Sequence, residues 1–223
     1  MQLDNIRIVL VNTTHPGNIG GAARAMKNMG LSELCLVAPR QFPDERATWR
    51  AASAGDVLDN VMIVDSVEQA VSDCHFIVGT SARGRSIPWP IQNPRAGAEA
   101  MLTARRHGKV AVLFGREDRG LTNEELQQCH LHLHVPTDAS YSSLNLAMAV
   151  QIVAYELRMG SLPQNQLNRV QDDEWDAPFA TAENMERFYT HLEQTLMDIG
   201  FLDPKAPRQL MTRLRRLYSR VRL

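Results

Sequence analysis

Membrane-spanning runs, disulfide patterns and aromatic residues are all scarce in this sequence. No apolar run approaches the roughly 20 residues that cross a bilayer, and the first residues enter a strand pattern without a signal-peptide pattern. The three cysteines, Cys35, Cys74 and Cys129, are odd in number and widely spaced, which indicates buried reduced thiols rather than a disulfide framework. We therefore expect a cytoplasmic protein with no membrane segment.

Net charge is also nearly absent, but the charges are distributed unevenly. The formal charge is −1 over the whole chain. Residues 201–223 hold seven basic residues against one acidic residue, whereas residues 171–200 hold eight acidic residues against one basic residue. A chain that is neutral in sum can still present a strongly basic surface at its C-terminal end.

Apolar, β-branched runs alternate with helical patterns over the first 160 residues. The predicted strands are Ile6–Val11, Leu34–Val37, Val61–Val64, Phe76–Val78, Val110–Phe114 and Leu131–Val135. The predicted helices are Ile19–Met29 closed by Gly30, Val67–Val71, Arg95–Arg105, Thr122–Gln128 and Leu144–Met159 closed by Gly160. This alternation predicts an α/β fold with a mostly parallel sheet flanked by helices. Thr122 and Glu125 predict a capping box, and Ser143 is placed to cap the last of these helices.

The pattern changes after residue 160. Residues 161–178 are rich in Pro, Gln, Asn and acidic residues, which predicts a linker between a domain of residues 1–160 and a helical, basic extension of residues 179–223. The last helix of the extension has an apolar stripe of Leu210, Met211, Leu214, Leu217, Tyr218 and Val221. Arg213, Arg216 and Arg220 lie opposite this stripe. The stripe requires a partner, either the helix predicted at Ala182–Ile199 or a second subunit.

Three strand-to-helix turns carry the residues that point to function. They span Asn12–Arg24, Phe114–Leu121 and Val135–Asn145, and each is rich in Gly, Asn or Ser. At such junctions glycine lets the backbone approach a ligand closely, and helix N-termini offer unpaired N–H groups. Together the turns indicate a site for a nucleotide-like ligand. The first turn lacks the glycine pattern of a dinucleotide fold, the second strand is not followed by an acidic residue, and no P-loop is present.

These turns resemble the three signature motifs of the SPOUT superfamily of RNA methyltransferases. The resemblance is carried by the spacing of Asn18, Gly20 and Arg24 and by the stretches Gly115–Leu121 and Ser142–Ala147, in the order that the superfamily keeps. It covers residues 1–160 and is closest to the members that methylate the ribose 2′-hydroxyl of cytidine and uridine in tRNA. It implies a trefoil knot, S-adenosylmethionine (SAM) as cofactor, and a homodimer whose active site is shared between subunits. It also implies that the substrate nucleotide opens the anticodon loop, at position 32 in tRNA numbering.

The resemblance implies that SAM binds in the knot and is held largely by backbone groups of three loops. The corresponding residues are Thr80, Ser81, Ala82, Gly115, Glu117, Val135, Pro136, Ser142, Ser143 and Leu144. We interpret Gly115 as a position where a side chain would occupy the space of the ligand, and a plain strand-end turn is the alternative. Glu117 has three possible partners that the sequence does not rank: Arg24, Arg116 or a surface cation.

Ribose methylation requires alignment for an in-line displacement and help for a weakly acidic hydroxyl. The resemblance makes Arg24 essential. Because a guanidinium stays protonated, we interpret Arg24 as gripping the adjoining phosphate and stabilising negative charge; a solvated helix cation is the alternative. Asn18 either orients the loop or the hydroxyl, or caps its helix. Ser142 and Asn145 either position cofactor and substrate or cap the helix that follows them.

Two further groups of residues bear on ligands. Arg83 and Arg85 follow the Thr80–Ala82 loop, and with the three arginines of the last helix they are candidates for binding RNA phosphates; a solvated loop is the alternative. His130, His132 and His134 occupy one strand face, where their side chains do not converge on one tetrahedral ion, so no metal is expected. The sequence thus predicts a SAM-dependent tRNA ribose methyltransferase. A base-methylating member of the superfamily and a non-catalytic RNA-binding module are the alternatives.

Overall fold

Parallel strands and their covering helices build the first of two compact units. The structure, a computed structural model, describes residues 3–81, 91–138, 140–163 and 180–218, and these divide into one unit within residues 1–169 and another within residues 170–223. The first unit holds a seven-stranded sheet in the order β3-β2-β1-β6-β4-β7-β5, in which neighbouring strands run parallel. The predicted α/β class is therefore confirmed. Within the described part of the chain, no helix combines the length and apolar character needed to cross a bilayer.

The predicted elements differ from the observed ones mainly at their ends. Strands β1 to β7 span Ile6–Val11, Glu33–Val37, Met62–Val64, Cys74–Thr80, Ile91–Gln92, Lys109–Phe114 and Leu131–Leu133. Helices α1 to α7 span Pro16–Met29, Glu45–Ala51, Gly55–Asp59, Val67–Val71, Pro94–Ala104, Asn123–Gln127 and Leu146–Ser161, with a 3-10 turn between α2 and α3. The sequence prediction missed β5, α2 and α3. It was also wrong to extend the last strand to Val135 and to end the long helix before Gly160.

Alternate side chains of the central strands supply two separate apolar cores. Ile6, Ile8 and Leu10 of β1 pack on one face of the sheet, and Val9 and Val11 pack on the other. All six residues of β1 are buried, as expected for a parallel sheet that is covered on both faces. The packed sheet therefore fixes the positions from which the loops at its carboxyl edge begin.

The three thiols belong to one of the two apolar cores or pack against it. Cys35 and Cys129 are buried as expected, whereas Cys74 is only half-buried. Burial raises the pKa of Cys35 and of Cys74 to about 11 and that of Cys129 to about 12. All three thiols therefore stay protonated near neutral pH. Because the thiolate is the reactive form, none of them is activated.

Helix α1 is fixed by close packing against α2 and α7. A Cβ added to Gly20 would lie 2.0 Å from the carbonyl oxygen of Ala47 in α2, and one added to Gly21 would lie 2.9 Å from the Cβ of Ala147 in α7. Only glycine permits such a close approach. Gly30 is the C-cap of this helix, as predicted, and its φ of 80° lies in the left-handed region that glycine adopts easily. The first turn of α1, which carries motif residues, is thereby held in place.

In the second unit, helix α9 (Leu210–Tyr218) packs on helix α8 (Ala182–Asp198), which was one of the two predicted partners. The ring of Tyr218 meets that of Phe188 edge-on at 4.9 Å. The guanidinium of Arg215 lies 4.4 Å from the ring centre of Tyr189 and forms an ion pair with Glu186. Of the predicted apolar stripe, Leu210, Met211, Leu214 and Tyr218 are partly buried and Leu217 is exposed, whereas Val221 lies outside the described residues.

Candidate active site

The carboxyl ends of β4, β6 and β7 surround a cavity. Its lining comes from the end of β4, from the turn after β6 and from the segment between β7 and α7: Thr80, Ser81, Phe114 through Leu121, Leu133, Val135, Ser142 through Leu144, Leu146 and Ala149. Open α/β sheets bind their ligands at this edge. Two of the three predicted turns therefore meet in one concave site.

Most residues predicted to bind the cofactor line this cavity. They are Thr80, Ser81, Gly115, Glu117, Val135, Ser142, Ser143 and Leu144. Pro136 is not among the lining residues, and Ala82 lies outside the described residues. The apolar walls were not predicted from the sequence; they are formed by Phe114, Leu121, Leu133 and Leu146. Phe114, Leu133 and Leu146 lie at the ends of buried strands or at the start of a helix. Packing in the core alone would also account for apolar residues at these positions.

Gly115 is required by the tight turn that follows β6. A Cβ at this position would lie 2.1 Å from the backbone of both Gly120 and Leu121. The turn in between is closed by two backbone hydrogen bonds between Arg116 and Gly120, of 3.3 and 2.9 Å. A side chain at Gly115 would therefore break this turn, whether or not a ligand occupies the cavity that Gly115 lines.

The carboxylate of Glu117 caps the N-terminus of α1. It accepts hydrogen bonds from the backbone N–H groups of Thr14 (3.1 Å) and His15 (3.2 Å), from the Thr14 hydroxyl (3.0 Å) and from Nδ2 of Asn18 (2.9 Å). Negative charge is favourable at a helix N-terminus. Burial acts to raise the pKa of Glu117, but the hydrogen bonds from Asn18 and from backbone N–H groups outweigh it, and the pKa lies below its usual value. Glu117 is therefore ionised at neutral pH.

Among the residues that the structure describes, Glu117 contacts none of the cations that the sequence offered as partners. Arg116 instead binds both carboxylate oxygens of Glu125, each at 3.0 Å, and donates to the side chain of Asn12. Glu125 also completes the predicted capping box with Thr122. In the second motif, Arg116 therefore pairs with the nearby Glu125, whereas the carboxylate of Glu117 contacts the first motif.

Asn18 joins the first motif to the other two. Its Nδ2 donates to Glu117, and its Oδ1 accepts a hydrogen bond of 2.9 Å from Nδ2 of Asn145. Oδ1 of Asn145 accepts from the backbone N–H of Ala147 at 3.0 Å, so Asn145 is the N-cap of α7. The capping role that we assigned to Ser143 therefore belongs to Asn145. Asn18 is not a cap, because α1 already begins at Pro16.

Arg24 stands apart from this network. Its side chain is exposed on α1 and lines neither of the two cavities described for the chain. Within the described ranges it forms no ion pair. The fold alone thus brings Asn18, Ser142 and Asn145 to the cavity region but leaves Arg24 on the surface.

The remaining predicted ligand-binding residues are divided between the two units. Arg213 and Arg216 are exposed on α9, whereas Arg83, Arg85 and Arg220 lie outside the described residues.

The three histidines bind three different backbone groups. Nδ1 of His130 accepts from the N–H of Ile77, and the rings of His132 and His134 bond the carbonyl oxygens of Leu126 and Ser81. The described segments contain no group of three metal-ligating side chains.

Comparison with protein families agrees with this geometry. A family model described as the SpoU rRNA Methylase family matches residues 5–155, which include all three motifs. The chain belongs to this family. A second model, described as the C-terminal domain of the tRNA methyltransferase TrmJ, matches residues 183–223. The predicted resemblance to SPOUT methyltransferases is thereby confirmed.

Relatives in the SpoU family are similar over nearly the whole chain. A tRNA (cytidine/uridine/adenosine-2′-O-)-methyltransferase TrmJ of Pseudomonas aeruginosa is 54% identical over 98% of this chain and 87% of its own length. A tRNA (cytidine/uridine-2′-O-)-methyltransferase TrmJ of Pectobacterium atrosepticum is 51% identical over 99% of this chain and 90% of its own. The crystal structure of TrmJ from Z. mobilis superposes with a TM-score of 0.66 at 34% identity, covering 96% of this chain and 90% of that one.

Proposed function

We propose that this protein transfers a methyl group from SAM to the ribose 2′-hydroxyl of cytidine and uridine in tRNA, in the cytoplasm. The observation that carries the proposal is the hydrogen-bonded chain from Glu117 through Asn18 to Asn145, which joins all three motifs at the rim of one cavity. Similarity to TrmJ enzymes over nearly the full chain supports the substrate. Position 32 of the anticodon loop follows from the resemblance and is part of the same proposal.

The residues of the cavity fit SAM. When bound, SAM supplies an electrophilic methyl group on a cationic sulfonium. Phe114, Leu133 and Leu146 provide apolar wall area suited to an adenosine, and the strand ends at Thr80 and Gly115 provide backbone groups. Ionised Glu117 lies in the same lining and adds negative charge that complements the sulfonium.

Both ends of the Asn18 amide are occupied within the chain. Asn18 therefore acts as a positioning residue that fixes Glu117 and Asn145, and the target hydroxyl is left to other groups. Ser142 is exposed at the cavity lining, where it can contact cofactor or ribose. These residues contribute to an in-line displacement mainly by aligning the two reactants.

A homodimer with a shared active site accounts for the position of Arg24. Next to α1, helix α7 exposes apolar side chains at Met148 (62%) and Tyr155 (46%), and Ile152 between them is partly buried. An exposed apolar stripe on one helix is typical of an interface. Twofold packing through α1 and α7 would cover this stripe and place Arg24 in the cavity of the partner subunit.

A trefoil knot completes the proposal. Strand β7 is inserted between β4 and β5, two strands that precede it in the sequence. This strand order supports the knot that the resemblance implies.

A substitution in the cavity tests the proposal. Ser143 is exposed and lines the cavity, so Ser143→Trp should fill it without disturbing the core. Ser32, which is exposed at the opposite edge of the sheet, gives the matched control Ser32→Trp. We expect wild type and Ser32→Trp to bind SAM in calorimetry and Ser143→Trp to lose binding.

Nucleoside mass spectrometry of tRNA after reaction then identifies the product. We expect 2′-O-methylcytidine and 2′-O-methyluridine. Methylated bases would establish the base-methylating alternative, and absence of SAM binding by the wild type would establish the non-catalytic RNA-binding alternative.

A further inference from the structure

A second cavity lies beside the first, at the carboxyl ends of β1, β2 and β6. Its volume is about 340 Å³, which lies in the range of small-ligand pockets. Every lining residue is polar, and three are arginines: Asn12, Thr14, Arg40, Arg116, Asp118 and Arg119. Such a lining suits an anion much better than an apolar group.

The two cavities are contiguous through shared residues. Arg116, Asp118 and Arg119 line both of them. Thr14 lines the second cavity and donates two hydrogen bonds to Glu117, which lines the first. A group bound in the second cavity therefore lies next to the proposed site of methyl transfer.

The three arginines differ in how far their charge is already neutralised. Arg116 is held by both oxygens of Glu125. Arg119 pairs with Asp118 at 3.0 Å, but both side chains are more than half exposed, so this contact is weak and easily exchanged. Arg40 is exposed and forms no ion pair with any residue that the structure describes.

The backbone around Arg40 is fixed although its side chain is exposed. The N–H of Arg40 donates to the carbonyl oxygen of Thr13 at 3.1 Å, and the N–H of Ala38 donates to that of Val64 at 2.8 Å. Nδ2 of Asn12 donates to the carbonyl oxygen of Ala38, which ties the same loop to β1. The guanidinium is thus presented from an ordered loop at the mouth of the cavity.

We infer that this second cavity binds a phosphodiester group of the tRNA backbone adjoining the target ribose, and that Arg40 is its principal cation. A guanidinium matches a phosphate with two parallel N–H donors, and Arg119 can turn from Asp118 to the same anion. The inference rests on the proposed function, because that function places a ribose and its adjoining phosphate at this edge of the sheet.

Equilibrium binding of tRNA, measured by fluorescence anisotropy over a range of salt concentrations, tests the inference without requiring turnover. Arg40→Gln should raise the Kd for tRNA about tenfold, the scale of one charged hydrogen-bonded contact. It should also lower the slope of log Kd against log salt by about 0.7 to 0.9, the value for one phosphate contact. Arg40→Lys should keep the slope, because it keeps the charge, while losing part of the affinity.

Arg46→Gln is the matched control. Arg46 is an exposed arginine six residues away that is held by Asp44 and Gln41 and lines neither cavity. Its substitution should leave the Kd and the salt slope unchanged. The inference is overturned if Arg40→Gln behaves like this control, or if Arg40→Lys loses the slope as Arg40→Gln does.

Affinity for SAM separates this inference from the proposed function. Arg40→Gln should bind SAM as the wild type does, and a parallel loss of SAM binding and thermal stability would make Arg40 structural and overturn the inference. A wild-type protein that binds tRNA through Arg40 but neither binds SAM nor methylates tRNA would refute the proposed function alone.

Discussion

At the scale of single residues, Glu117 connects the stability of the fold to the geometry of the site. One carboxylate satisfies two N–H groups at the start of α1 and also holds Asn18. Gln has the same shape, but its amide nitrogen would face N–H donors and its charge would be lost. We expect Glu117→Gln to lower the free energy of unfolding by about 1 kcal/mol, the usual scale of a lost helix cap. Methylation should fall as well, because the one remaining oxygen cannot accept from all the donors of Thr14, His15 and Asn18, and Asn18 is then held less firmly.

The pH dependence of stability checks this role. Because the pKa of Glu117 is depressed in the folded state, its stabilising contribution is present above its usual value of 4.5 and is lost as the pH falls through the lower folded value. Urea unfolding at about pH 7 and about pH 3.5 should therefore show a smaller difference for Glu117→Gln than for wild type. Glu99→Gln, on the exposed face of α5, should behave as wild type. An unchanged difference in Glu117→Gln would show that the carboxylate does not stabilise α1.

Residue identities in the site were more predictable than residue contacts. The resemblance named Asn18, Glu117 and Asn145, but their contacts span 99 and 127 positions of sequence, which no local pattern reveals. For Gly115 the residue was predicted, but the sequence did not reveal that the backbone of Gly120 lies where a Cβ would be. Such close approaches depend on tertiary packing.

At the scale of elements, prediction succeeded where the buried side chains form a clear pattern along the sequence. Strand β1 was predicted with its observed ends because all its residues are buried in a parallel sheet and none is small. Helices α2 and α3 were missed. The buried residues of α2 are only Ala47 and Ala51, and those of α3 are the adjacent Val57 and Leu58, so neither yields a clear apolar period.

The basic C-terminal segment, residues 201–223, is the part of the chain most open to test. Charge reversal of Arg213, Arg216 and Arg220 should weaken tRNA binding and lower its log–log salt slope by about 0.7 to 0.9 for each phosphate that the variant no longer binds. Affinity for SAM should stay unchanged, since its cavity lies in the other unit. The competing explanation is that these arginines only neutralise the acidic residues 172–198 of the same chain.

Arg215 supplies the control for that explanation, because it is the arginine of α9 that pairs with Glu186 and stacks on Tyr189. Arg215→Glu should lower the thermal stability of the C-terminal unit and leave the salt slope of tRNA binding intact. If the triple reversal has this same effect, the three arginines serve the fold and do not bind RNA.

At the scale of the whole molecule, the isolated chain lacks one expected part of its site. Asn18, Glu117 and Asn145 meet within one subunit, whereas Arg24 remains exposed on α1. A sequence cannot distinguish a residue that serves its own cavity from one that serves a partner's, because both have the same local pattern. In the proposed twofold dimer, each of the two sites would take parts from both chains, which makes the distinction measurable.

Mixed dimers therefore give the decisive experiment. Arg24→Ala alone should keep SAM affinity within a few-fold but reduce turnover by about 10²-fold, the scale of removing one group that stabilises the transition state. Ser143→Trp alone should be inactive because it does not bind SAM.

A heterodimer of the two variants, isolated with two affinity tags, combines an intact cavity on one chain with an intact Arg24 on the other. If the site is shared, it should recover about half of wild-type turnover, because one of two symmetric sites is complete. If Arg24 serves its own chain, the heterodimer contains no complete site and should stay inactive. Near wild-type turnover by the Arg24→Ala homodimer would instead make Arg24 a surface cation with no part in the reaction.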